Sequence, residues 1–72
     1  MKTYANLGGK STVASYEYGP TYITVQFSSG TTYTYSYEGA GKSNVDQMKE
    51  LADSGSGLNS FIRKNVNDLF DK

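Results

Sequence analysis

Asn59, Arg63 and Lys64 are the residues whose types best suit binding of a charged ligand. Asn59 and Arg63 are four apart, so on a helix they share a face, and Asn67 continues it. A guanidinium beside a carboxamide can hold a phosphate or a carboxylate. The same ridge also serves as an ordinary solvated helix face, with Asn59 satisfying backbone groups in the turn Gly55–Leu58. Lys10, Lys42, Arg63 and Lys64 can make a local basic cluster if Asp46, Glu50 and Asp53 face elsewhere. The seven tyrosines are the strongest compositional bias. Tyr33, Tyr35 and Tyr37 are spaced by two and share one face of a strand. Such rings can stack bases, each worth roughly 1–3 kcal/mol; core packing is the simpler use. Tyr22 and Tyr37 are expected nearer the surface. The nucleic-acid-binding candidates are thus Lys42, Asn59, Arg63, Lys64, Tyr35 and Tyr37.

Other chemistries find little support. The chain has no histidine and no cysteine. That removes the usual general base near neutral pH, the commonest metal ligands and any disulfide. Glu17, Glu38, Asp46 and Glu50 are acid/base candidates without a legible pairing, and no serine has a histidine to activate it. Gly39-Ala40-Gly41-Lys42-Ser43 lacks the full phosphate-loop spacing, because Ser36 stands where the first glycine is needed. No catalytic residue, metal site or cofactor is expected. Seven basic and seven acidic residues cancel, so any nucleic-acid site must be local. No apolar run suits a signal peptide or a membrane span, which predicts a cytoplasmic protein without membrane partners.

The elements that position these residues follow from periodicity. Tyr22 to Phe27 alternates, with Ile23, Val25 and Phe27 on one face and Tyr22, Thr24 and Gln26 on the other. Thr31 to Tyr37 alternates likewise. A three-residue loop, Ser28-Ser29-Gly30, sets Val25 opposite Tyr33 and Ile23 opposite Tyr35, with Gly30 supplying the left-handed residue. A slip of one residue would mix the faces. Thr12 to Tyr18 reads as a preceding strand, with Ala14, Tyr16 and Tyr18 on one side. A four-residue turn, Tyr18-Gly19-Pro20-Thr21, would place Tyr16 opposite Ile23. Val13 then falls on the polar face, a conflict that a bulge would resolve.

Residues 38–42 read as a connection. A helix follows, capped by Asn44 with Gln47 reaching back, and Val45, Met48, Leu51 and Ala52 lie at helical spacing. The segment 53–57 stops it. A second helix is expected over Leu58 to Phe70, with Leu58, Phe61, Ile62, Val66, Leu69 and Phe70 as its apolar stripe. The expected fold class is α+β: a three-stranded antiparallel sheet (β-β-β) followed by two helices packed on one face. Residues 1–10 read as a flexible N-terminal arm and residues 11–72 as a single domain. A chain of this size buries roughly 60–65% of its unfolded surface, which implies modest stability.

Two segments carry a resemblance. Tyr33-Thr34-Tyr35 matches the Tyr-x-Tyr of the KTSC family, a short domain named after the C-terminus of some lysyl-tRNA synthetases. Gly55, Asn59, Ile62 and Arg63 are similar to its second signature, a Gly followed by Phe-Asn-x-x-Ile-Arg, with Leu58 at the aromatic position. Ser11 to Tyr18 resembles the family's opening strand, so the likeness covers about Ser11 to Lys64. Tyr37 to Gly39 departs from a Val-Pro frequent in the family. The resemblance implies a small domain found in bacterial and phage genomes, with RNA binding suggested by the synthetase context. Two functions follow as expectations: a non-catalytic module for RNA or single-stranded nucleic acid, or a protein–protein interaction module using the outer sheet face or a strand edge.

Overall fold

The computed structural model describes residues 1–9 and 11–71. An antiparallel sheet of β1 (Lys2–Thr3), β2 (Val13–Gly19), β3 (Tyr22–Phe27) and β4 (Thr32–Ser36) runs in that spatial order. Helices follow: a single turn α1 (Tyr37–Ala40), the long α2 (Lys42–Ser54) and α3 (Leu58–Phe61), which continues as a π-helical turn over Ile62–Val66. The fold is α+β with the helices on one sheet face, as alternation followed by helical spacing predicts. The sheet has four strands rather than three.

The β3–β4 hairpin has the expected register. Val25 faces Tyr33 and Ile23 faces Tyr35, and the Phe27 amide donates to the Thr31 carbonyl at 2.8 Å across the loop. Gly30 takes the left-handed conformation that the loop needs, with φ 96°. The β2–β3 hairpin departs from expectation. Gly19 pairs with Tyr22 and Tyr18 with Ile23, so the loop is Pro20-Thr21 rather than four residues. Gly19 permits the tighter turn, since a Cβ there would overlap the Tyr22 ring. The slip is two residues, so each side chain keeps its face. The register shifts between Val13 and Ser15. That bulge turns Val13 inward to 3% exposure and leaves Ala14 outside.

The fourth strand comes from the segment read as an arm. Lys2 pairs with Tyr16 and Thr3 with Ser15. Tyr4 enters the core at 3% exposure, and its hydroxyl accepts the Leu58 amide at 3.3 Å. Lys2 and Thr3 are both exposed and give no alternation to read. Further along, the Leu7 amide donates to the Gly55 carbonyl at 2.7 Å. Gly55 ends α2 with φ 79°, and a Cβ on it would lie 2.5 Å from the Ala5 Cβ. Gly55→Ala therefore meets both a backbone penalty of roughly 1–2 kcal/mol and a steric clash. A loss of about 2 kcal/mol in urea unfolding is expected; a loss below about 0.5 kcal/mol would show that residues 5–7 do not pack as described.

The core lies between the sheet and the helices. Ile23, Val25 and Tyr35 meet Val45, Met48, Ala52, Leu58, Ile62 and Val66, all at most 4% exposed. α2 starts at Lys42 behind Gly41, not at an Asn44 cap. Asn44 instead donates back to the Ala40 carbonyl at 2.9 Å. The connection before it contains α1, capped by Ser36, whose hydroxyl accepts the Gly39 amide. The expected helix to Phe70 stops at Val66. Leu58, Ile62 and Val66 are spaced by four, and eight residues at 3.6 per turn overshoot two turns by about 80°. The wider π turn reduces that drift and keeps Val66 in the core. Leu69 is then outside, 42% exposed.

Candidate functional site

A groove of about 490 Å³ opens where the β3–β4 turn approaches the π-helical turn. One wall is Phe27, Ser28, Ser29, Thr31 and Tyr33; the other is Asn59, Ile62, Arg63 and Asn67. The hairpin alternation points Phe27 and Tyr33 toward the helices, but both lie near the open end of the sheet and stay half-buried. Their rings meet edge to face at 5.8 Å. Asn59, Arg63 and Asn67 follow at four-residue intervals on the opposing helix. Thr12 bridges the walls by donating to Asn59 Oδ1 at 3.0 Å.

Arg63 is exposed. Among the described residues it has neither a carboxylate within 4 Å nor a hydrogen bond. Its fork of donors is open to a ligand oxygen. Tyr35 is 1% exposed yet lines the groove. Its hydroxyl has no hydrogen-bond partner among the described residues. Burial first, and the neighbouring Tyr33 second, push its pKa up to about 12. It therefore stays a donor at any ordinary pH.

The six candidates divide. Asn59, Arg63 and Tyr35 come together in the groove. Lys64 is exposed on the same turn but does not line it. Lys42 and Tyr37 belong to a separate cluster, which shares no lining residue with the groove. There Asp46 receives the Tyr37 hydroxyl at 2.6 Å and the Lys42 ammonium at 2.8 Å. The expectation that Asp46 faces away from Lys42 is corrected: the two stand at i and i+4 on α2, the spacing of a helical ion pair. Hydrogen bonds from Lys42 and then Tyr37 hold the Asp46 carboxyl below its ordinary value. Lys10, the fourth expected basic residue, lies outside the described residues.

A residue with no sequence-level role organises this second cluster. Lys49 lies 5.4 Å from the Tyr18 ring centre and 5.1 Å from that of Tyr37, and it donates to the Pro20 carbonyl at 3.2 Å. Beside it, Asp53 accepts the Tyr16 and Tyr18 hydroxyls, each at 2.7 Å. These bonds lower the Asp53 pKa. Burial, then Asp53, raises that of Tyr16 to about 12. A raised tyrosine pKa adds stability that is complete below the unfolded value of 10.0 and is lost as pH climbs toward 12. Absorbance titration should accordingly show Tyr16 and Tyr35 ionising last, together with unfolding. Ionisation of all seven tyrosines near pH 10 in the folded protein would contradict both placements.

Among the described residues no group of acidic side chains is arranged to hold a metal ion, and no helix is long and apolar enough to cross a membrane. Comparison with protein-family models, curated proteins and solved structures finds no match to this chain.

Proposed function

We propose that the protein is a small non-catalytic binding domain that takes a short single-stranded segment of nucleic acid, RNA foremost, in the groove between the β3–β4 turn and the π-helical turn. The observation that carries this reading is Arg63, without an acidic partner among the described residues, set across the groove from the half-buried rings of Phe27 and Tyr33. The guanidinium suits a phosphate. The Phe27 ring suits a base face, while Tyr33 already stacks on Phe70 at 3.9 Å and backs that wall. Asn59, Asn67 and the Tyr35 hydroxyl suit base edges or a 2′-hydroxyl. The two segments that resemble the KTSC signatures, Tyr33–Tyr35 and Asn59–Arg63, are the segments that supply the opposing walls. Arg63 is the basic residue that lines the groove, with exposed Lys64 beside it, so the contact is with one or two phosphates and affinity is modest.

The test is fluorescence anisotropy with a labelled, mixed-sequence single-stranded RNA at several salt concentrations. Binding is expected, with a log–log salt slope of roughly −0.7 per phosphate contacted. No binding even at low salt would remove the proposal. A second reading, a protein-interaction module, is favoured by a different observation: the outward-facing Thr34 carbonyl on the β4 edge accepts a backbone hydrogen bond from outside the sheet, donated by the Asp71 amide.

A further inference from the structure

β4 is an outer strand of the sheet, so alternate amides and carbonyls along it point away from β3. In the non-bonded pair Thr24–Thr34 the two hydroxyls meet at 2.9 Å, and the Thr34 carbonyl faces outward. The Asp71 amide donates to it at 2.7 Å. One residue earlier, the Phe70 ring stacks on Tyr33 at 3.9 Å and meets Tyr35 edge-on at 6.3 Å. The Asp71 carboxylate accepts the Ser36 hydroxyl at 3.0 Å. That hydroxyl also accepts the Gly39 amide at 3.1 Å, and it donates to the carboxylate because an ionised carboxylate can only accept. Gly39 leaves room for the arrangement, since a Cβ on it would stand 2.9 Å from Asp71 Oδ1 and 3.4 Å from the Leu69 carbonyl.

No strand pairs with this edge among the described residues, but a backbone bond to the edge, a ring stacked on Tyr33 and a carboxylate on a hydroxyl are the kinds of contact that strand addition uses. The chain's own Phe70-Asp71 specifies the chemistry that the edge accepts. Leu69, the preceding residue, is turned to solvent.

We propose that the β4 edge, with Tyr33 and Ser36, is a docking site for an extended peptide segment of a partner protein that carries an aromatic residue followed by an acidic one. In the isolated domain Phe70-Asp71 occupies the site, and a partner segment displaces it. The self-occupied fraction does not bind, so the apparent affinity of the wild type is reduced by that fraction.

The experiment uses the full chain with Phe70→Ala and an acetylated hexapeptide of the sequence Asn-Asp-Leu-Phe-Asp-Lys, followed by amide NMR. The peptide should move Tyr33, Thr34, Ser36 and Gly39, and should bind the variant about tenfold more tightly than the wild type. A scrambled peptide should move none of them. Asp71→Pro provides a second test if Phe70→Ala weakens the fold. It removes both the amide donor and the carboxylate from an exposed position, and should likewise tighten peptide binding. A folded variant that ignores the peptide would overturn the proposal. So would single-stranded RNA moving Thr34, Ser36 and Gly39, which would assign the edge to nucleic acid, or the same shifts on raising protein concentration alone, which would assign it to a second copy.

Discussion

With RNA in the groove as proposed, Arg63→Ala is expected to weaken that binding by about ten- to hundred-fold and to leave the thermal midpoint where it was. The first part follows from the charge-assisted bonds a guanidinium makes to phosphate, about 1.5–3 kcal/mol, at about 1.4 kcal/mol per factor of ten. The second follows from the absence of any hydrogen bond or ion pair to Arg63 among the described residues. Nothing is left uncompensated when the side chain goes. The variant should also lose most of the salt dependence, because a site that reads one or two phosphates has little slope left without its arginine. Arg63→Lys should recover part of the affinity, as a point charge keeps the Coulomb attraction but not the two-pronged geometry. An Arg63→Ala variant that binds RNA as tightly as the wild type would move the site elsewhere. Isotherms at two salt concentrations, with a melt on each variant, are sufficient.

The largest stability effect is expected at Leu58. It is fully buried, it opens α3, and its amide is the donor to Tyr4. Leu58→Ala removes three buried carbons between the sheet, α2 and the β1 segment. Large-to-small changes of this kind cost about 2–5 kcal/mol. A chain of 72 residues has only about 4–11 kcal/mol in all. A loss near 3 kcal/mol lowers the midpoint by roughly 12–24 °C. Denaturant and thermal unfolding measure it directly. A loss below about 1 kcal/mol would mean that Leu58 is not at the junction described.

Particular residues show how much of the fold is legible in the sequence. Ile23, Val25, Tyr33 and Tyr35 were legible because strand alternation and Gly30 admit one register that keeps all four on one face. Val45, Met48 and Ala52 were legible for the analogous reason at helical spacing. The β1 strand was not, because two exposed polar residues carry no pattern and the burial of Tyr4 depends on Leu58, far along the chain. The end of the second helix was not legible either. Leu69 and Phe70 continue an α-helical stripe on paper, and only the π turn, demanded by the Leu58–Ile62–Val66 packing, takes them off it.

The candidate groove is legible in part. The Asn59–Arg63 ridge is where the spacing puts it. The wall it faces was hidden, since Phe27 and Tyr33 look like core residues and only their position at the end of the hairpin exposes them. A hydroxyl-rich turn, Ser28 to Thr31, flanked by two aromatics was the available signal. Lys42 does not join Arg63 and Lys64, and the i, i+4 spacing to Asp46 is the sequence signal for its actual neighbour. Charge counting alone does not show which lysines are already engaged, and Lys42 and Lys49 both are.

The most direct measurement is amide chemical-shift mapping of the labelled full chain with a mixed-sequence single-stranded RNA at low and moderate salt. Shifts at Phe27 to Tyr33 and at Asn59 to Asn67, receding as salt rises, are the result that the groove assignment predicts. A spectrum unmoved at low salt, or shifts confined to Lys42 to Glu50 on α2, would contradict it.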